Sequence, residues 1–198
     1  TNLQVAVLSN DAGGLTQENA DAEMTGFEFS STFRPTDSLS MGIAGTWLDG
    51  EYTTYNASTH VPASTITPGA RGFVGAVSED LSGYRLANAP EFSLNGNITY
   101  NFPIGANFDA DLSALVYYSD EYDMTPGASG IARIDKQDSM TIVNLNLTVR
   151  HSAGWQADLY VRNATDEEYY TEKTTQPQGA FGAPALPRVV GARIRYNF

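Results

Sequence analysis

The chain has 198 residues, 41% of them hydrophobic, and no apolar run approaches the ~20 residues that a membrane-crossing helix needs, so a helical membrane protein is excluded. A formal net charge of −12 argues against nucleic acid as a partner, because phosphate binding wants clustered Lys and Arg. Cysteine is absent, which leaves no disulfide framework and no thiolate metal site and suits an oxidising bacterial envelope.

Thr1–Leu8 opens as a strand with no leader before it, as in a processed chain or a piece of something longer; Leu3, Val5 and Val7 alternate with Asn2, Gln4 and Ala6. Residues 9–20 are turn-rich and acidic and predict a loop. Phe27, Phe29, Ser31 and Phe33 then share one strand face, and Glu28, Ser30 and Thr32 the other. Arg34-Pro-Thr-Asp-Ser38 predicts a tight turn. A strand from Leu39 to about Tyr55 follows, with Leu39, Met41, Ile43, Gly45 and Trp47 on one side. Residues 56–84 show no sustained period and read as the longest loop. In the next strand Phe92, Leu94, Gly96, Ile98, Tyr100 and Phe102 oppose Ser93, Asn95, Asn97, Thr99 and Asn101. Residues 103–107 turn the chain. Phe108, Ala110, Leu112, Ala114, Val116 and Tyr118 alternate with Asp109, Asp111, Ser113, Leu115 and Tyr117. After a loop over 120–138 come Val143, Leu145, Leu147 and Val149, then a turn at 152–154, then Trp155, Ala157, Leu159 and Val161. A loop of about 166–186 leads to the last strand. There Val190, Ala192, Ile194, Tyr196 and Phe198 face away from Gly191, Arg193, Arg195 and Asn197.

Eight strands result, and their connections alternate between long and short. That rhythm predicts an all-β fold: a transmembrane, antiparallel up-and-down β-barrel with tight turns at one rim and extended loops at the other. The apolar face would meet lipid and the polar face a wet lumen. Aromatics gather at strand ends. Phe33, Phe102, Phe108, Trp155, Tyr196 and Phe198 lie by the short turns, while Trp47, Tyr52, Tyr118, Tyr122, Tyr169 and Tyr170 lie toward the long loops. Two such belts about 25 Å apart mark the interfaces of a membrane barrel. A soluble β-sandwich or jelly roll also alternates, but it would mix turn lengths at both ends.

Six segments in order carry a resemblance. They are Asn19-Ala-Asp-Ala-Glu-Met-Thr-Gly-Phe-Glu28, Phe33-Arg-Pro-Thr-Asp-Ser-Leu39, Trp47-Leu-Asp-Gly-Glu-Tyr52, Leu86-Ala-Asn-Ala-Pro-Glu-Phe92, Val161-Arg-Asn-Ala-Thr-Asp-Glu-Glu-Tyr-Tyr170 and Pro187–Phe198. Together they resemble the C-terminal part of the β-barrel of a TonB-dependent outer-membrane receptor. Phe33 departs from the usual Trp, and Asn163-Ala-Thr-Asp166 from an Asn-Leu-Phe-Asp corner. The resemblance implies that residues 1–198 are the last eight strands of a barrel of about 22 strands, with no plug domain in this chain. It implies outer-membrane lipid, the rest of the same barrel, the plug, TonB acting through that plug, and the barrel assembly machinery as partners. It also implies import of a scarce nutrient: siderophore-iron, a vitamin or an oligosaccharide. In the family the last strand is an assembly signal, and Ile194, Tyr196 and Phe198 match it. The alternative is a small self-closed outer-membrane barrel acting as structural anchor or adhesin, since eight strands can close on a side-chain-filled interior.

No nucleophile–base set, phosphate loop or cofactor motif appears, so the sequence supports no enzyme. His60 and His151 are too isolated for a metal pair. Asp120-Glu-Tyr-Asp123 and Asp166-Glu-Glu168 offer hard oxygens, yet lack calcium-loop spacing and read as solvated acidic rims. The Asn-x-Thr triplets at Asn97 and Asn146 are explained by alternation, and Arg193 and Arg195 are expected to pair with Asp109, Asp111 or Asp158. Candidate contacts for a small-molecule or glycan ligand are the loop residues Arg71, Phe73, Tyr84, Arg85, Arg133, Gln176, Gln178 and Phe181, where rings and donors stand near the mouth.

Overall fold

The computed structural model describes residues 2–8, 15–63, 67–127, 135–176 and 179–197. Fourteen strands occupy them: β1 (Asn2–Leu8), β2 (Leu15–Thr36), β3 (Leu39–Thr54), β4 (Asn56–Pro62), β5 (Phe73–Asp80), β6 (Phe92–Pro103), β7 (Phe108–Ser119), β8 (Tyr122–Asp123), β9 (Lys136–Gln137), β10 (Met140–His151), β11 (Trp155–Arg162), β12 (Tyr170–Gln176), β13 (Gly179–Pro184) and β14 (Val189–Tyr196). Eight of them make one antiparallel sheet in the order β1-β2-β3-β6-β7-β10-β11-β14, each strand beside its predecessor. The sheet ends on β1 and β14, and among the described residues no ladder joins these two edges.

The register shows why alternation works here. Tyr100, Leu112, Leu147, Leu159 and Ala192 are direct cross-strand partners and form one apolar row. One residue away, Asn101, Asp111, Thr148, Asp158 and Arg193 form a polar row. Because the side-chain period is two, neighbouring rows point to opposite faces of the sheet. Among the described residues much of the apolar face stands exposed. Leu112 is 50% exposed, Leu145 38% and Ile194 73%. A soluble sheet would bury them, whereas a barrel wall turns them toward hydrocarbon. The polar face is hydrogen-bonded to itself. Arg150 pairs with Asp111, which also accepts from Asn101 Nδ2. Asp158 accepts from Thr148 Oγ1 at 2.8 Å and from Gln156 Nε2 at 2.9 Å. Asn146 Nδ2 donates to Thr148 Oγ1 at 2.9 Å, which is the use of that Asn-x-Thr triplet.

Short turns close one rim. In the 152–154 turn Gly154 has φ 92, a left-handed conformation that a side chain resists. Trp155 and Tyr196 meet there at 4.6 Å between ring centroids, and Phe108 meets His151 at 4.4 Å. His151 Nδ1 accepts from the Ala153 amide, a turn contact rather than a metal site.

The opposite rim differs from the loop expectations. β2 already begins at Leu15, inside the expected 9–20 loop, and residues 9–14 lie outside those described. Its 22 residues span about 70 Å at ~3.3 Å each, where ~9–11 tilted residues suffice to cross hydrocarbon. Back at the rim of short turns, the expected turn at 34–38 shrinks to Asp37-Ser38, with the β2–β3 register shifting between Phe33 and Thr36. Pro35 donates no ladder bond and is accommodated at that irregularity. At the long-loop rim, three of the four expected long loops contain hairpins: β4 with β5, β8 with β9, and β12 with β13. Their strands gave no sustained period: burial falls on single described positions such as Ala57, Asp123 and Gln137, which leaves no run of alternation to read.

Among the described residues the cluster of buried hydrophobic side chains lies at the long-loop rim. Val5, Ala20, Tyr52, Tyr55, Ala57, Leu81 and Leu86 are buried together. Tyr52 therefore leaves the expected aromatic belt. It sits an odd number of residues from Trp47 along an unbroken ladder, so it faces inward, onto Leu86, and not lipid. Each large apolar side chain buried there contributes roughly 1.5–3 kcal/mol.

Candidate functional site

The segment from Leu81 to Glu91 builds the mouth. It leaves β5 and runs back along the upper half of β3: Leu81 N donates to Tyr55 O, Gly83 N to Tyr52 O, Leu86 N to Gly50 O and Leu48 N to Glu91 O, at 2.7–3.1 Å. Leu81 and Leu86 supply its apolar anchors. Burial first, and then the Glu18 carboxylate accepting at 3.2 Å, hold the Tyr55 phenol well above its ordinary range, so it remains a neutral donor. Asn88, at φ 57, ties the segment to the next loop: its amide donates to Asp123 O at 2.7 Å and its Nδ2 to Met124 O at 3.1 Å.

This scaffold lifts charged groups onto one side of a cavity of about 350 Å³ lined by Arg85, Leu86, Glu91, Asp120, Tyr122 and Lys136, among others. Arg85 pairs with Glu91, whose other oxygen accepts from the Trp47 indole at 3.4 Å. Arg85 first and the indole second hold the Glu91 carboxyl below its usual range. Lys136 Nζ reaches Glu121 at 2.8 Å. Burial raises the Tyr122 phenol. The cavity thus presents paired charges and the Tyr122 ring, which suits a polar ligand bearing hydroxyl or charged groups.

Of the candidate contacts, the structure brings Tyr84 and Arg85 together here: Tyr84 packs on the buried cluster and Arg85 opens onto the cavity. Arg71 is exposed near the tip of the β4–β5 hairpin, and Phe73 begins β5. Gln176 ends β12, while Phe181 stands exposed on β13 opposite Thr174. β12 approaches β4, so these two hairpins adjoin. Arg133 and Gln178 lie outside the described residues. The sequence reading missed Glu91, Lys136 and Tyr122; the six-residue spacing from Arg85 to Glu91 across a turn was the signal available.

In the acidic stretches Glu121, Asp166 and Glu168 stay exposed, and two of the acidic residues also hold structure. Asp123 is buried and its carbonyl receives Asn88. Asp166 Oδ1 accepts from the Arg188 amide at 2.7 Å, and the Arg188 guanidinium lies 3.6 Å from its other oxygen. Beside it Asn163, at φ 49, clamps both ends of the last loop: its Oδ1 accepts from Glu167 N, and its Nδ2 donates to Glu167 O and Leu186 O. Among the described residues no group of three or more His, Asp or Glu is placed to hold a metal ion. On the last strand Ile194 and Tyr196 are exposed on the outer face, and Phe198 lies outside the described residues.

The sequence model of the family described as TonB dependent receptor-like, beta-barrel, matches residues 1–164. The chain belongs to this family. Its fold is that of the TonB-dependent receptor barrel, an eight-stranded portion of that wall. The ferric yersiniabactin uptake receptor FyuA from Yersinia pestis superposes with a TM-score of 0.70 at 17% identity, over 92% of this chain and 25% of that one. The siderophore receptor PiuA from Acinetobacter baumannii superposes with a TM-score of 0.58 at 18% identity, over 98% of this chain and 23% of that one. The chain therefore spans about a quarter of the length of these receptors. No curated protein sequence gives a significant match. Family members are bacterial outer-membrane receptors and transporters rather than enzymes.

Proposed function

We propose that residues 1–198 are the C-terminal part of the wall and outer mouth of a TonB-dependent importer in a bacterial outer membrane, with the plug supplied from outside these residues. The observation that carries the reading is the two-faced sheet, unpacked and apolar outside and hydrogen-bonded and polar inside. Its β1 and β14 edges favour continuation into a larger barrel over an eight-stranded anchor closed on itself. TonB drives transport through the plug, and the cargo is a scarce nutrient. A ferric siderophore is the first candidate, because both similar receptors are described as handling siderophores. Arg85, Tyr84 and the neighbouring hairpins contact it at the mouth. Deleting the encoding gene should abolish uptake of one radiolabelled siderophore, vitamin or glycan; unchanged uptake of every cargo tested would sink the proposal. The same reading makes Ile194, Tyr196 and Phe198 the signal read by the assembly machinery. Removal of Phe198 should then lower the outer-membrane amount several-fold on immunoblots, and equal amounts would refute that role.

A further inference from the structure

Arg193 and Arg195 lie near enough to Asp158, one of the carboxylates expected for them, to act on it electrostatically, but neither closes an ion pair with it. Across the β11–β14 ladder Arg193 faces Asp158 and Arg195 faces Gln156. Asp158 is engaged by Thr148 and Gln156, and Asp111 by Arg150 and Asn101. Among the described residues neither Arg193 nor Arg195, nor Arg162 beside them, comes within ion-pair distance of a carboxylate. In a chain of net charge −12 this is a local reversal of sign: three guanidinium groups against one carboxylate already held by neutral donors.

The three arginines surround a cavity of about 460 Å³ on the polar face, also lined by Gln156, Asp158 and Tyr160. Its floor is built. The Tyr160 ring lies across Gly191, where an added Cβ would fall well inside van der Waals contact with the ring. Glycine is what lets the ring lie flat there. The Arg162 guanidinium stands 5.6 Å from the centre of that ring. Arg193 and Arg195 are two residues apart on one strand face, hence about 7 Å apart along the strand. Each planar fork can take one carboxylate in two parallel hydrogen bonds.

We infer that this patch is a carboxylate-binding subsite on the lumen wall, fitted to a small solute with two or more carboxylate groups. The inference rests on the proposal that the polar face lines a lumen. Two separated forks divide the solute's charges between them, and the ring beneath supplies a flat apolar seat. A monocarboxylate would engage one fork and bind correspondingly more weakly.

Citrate is the probe, titrated calorimetrically at low salt into the detergent-purified protein that carries this chain. Citrate should bind, and Arg193→Gln and Arg195→Gln should each weaken it about tenfold, in keeping with loss of one charge-assisted contact. Arg195→Lys should lose less, because it keeps the charge. Absence of citrate binding in the unaltered protein, as would follow if an acidic segment of a neighbouring domain filled the patch, overturns the inference. So does equal affinity in the Gln variants. Should either substitution lower the barrel yield, phenylglyoxal labelling of the unaltered protein decides the same point: citrate protection of Arg193 and Arg195 supports the subsite, and equal labelling overturns it. Cargo uptake is scored separately. Citrate binding in a protein whose deletion leaves all uptake unchanged would sink the transport proposal alone, and lost uptake with no citrate binding would sink the subsite alone.

Discussion

The sheet and the mouth are built from the same strands on opposite rules. Along β6 to β14 the large apolar residues stand outside and the hydrogen-bonded polar ones inside, as at Leu112 and Asp111. Above them, on β1 and the upper part of β3, Val5 and Tyr52 turn inward and are buried with Leu81 and Leu86. In the proposed outer-membrane setting, what changes between the two is the medium outside. Where hydrocarbon surrounds the wall, the hydrophobic effect gives no reason to bury leucine inside; where water surrounds it, leucine must find other leucines. The charges follow suit. Lumen carboxylates are held across the ladder by Thr148, Gln156 and Arg150, whereas at the mouth Arg85 and Glu91 come from one turn.

The sharpest way to break this comparison is at the mouth. Leu81 is 0% exposed, and Leu81→Ala should cost the loop cluster about 2–5 kcal/mol. Limited proteolysis should then cut within residues 55–91 while the barrel keeps its compact, heat-modifiable gel mobility. Loss of the barrel as well would show that mouth and wall are one cooperative unit. On the wall, Leu145→Arg should cost about 2–4 kcal/mol if that face meets the bilayer interior, whereas Asn95→Arg on the inner face should cost under about 1 kcal/mol. Urea-dependent folding into lipid vesicles measures both, and equal losses would deny that the faces meet different media. The smallest effect concerns pH. Because Arg85 and Trp47 depress the Glu91 carboxyl, their contact is fully present above its ordinary value of 4.5 and is lost as pH falls through the lower folded value. With Trp155→Phe leaving Trp47 as the single indole of residues 1–198, the part of the fluorescence that is lost in Trp47→Phe should change on acidification through that window. Glu91→Gln should remove the change; persistence of the change would assign it to another group.

The up-and-down wall was legible because a period of two over ten residues records which side each residue takes, and strands such as Phe92–Pro103 record it without interruption. The family segments were legible too, and the structure gives a reason for one of them: Asn163 and Asp166, both at positive φ, hold the two ends of the last loop together. The hairpins β4–β5 and β12–β13 were not legible, since their residues show no sustained alternation of apolar and polar positions. Tyr52 was misplaced because an aromatic near a strand end looks the same in sequence whether it turns toward lipid or into a cluster of leucines.

By itself the sequence determined which residues share a face, where the chain reverses and which family the wall belongs to, because backbone geometry converts spacing into sidedness wherever two media compete for the side chains. The tertiary structure alone decided who meets whom across strands far apart in the chain. It gave the hydrogen bonds of Asp158 to Thr148 and Gln156, leaving Arg193 across the ladder without an ion pair, and set Arg85 and Glu91 over a cavity shared with Lys136. Register, not composition, sets those distances, and a shift of one residue would have dealt every partner differently.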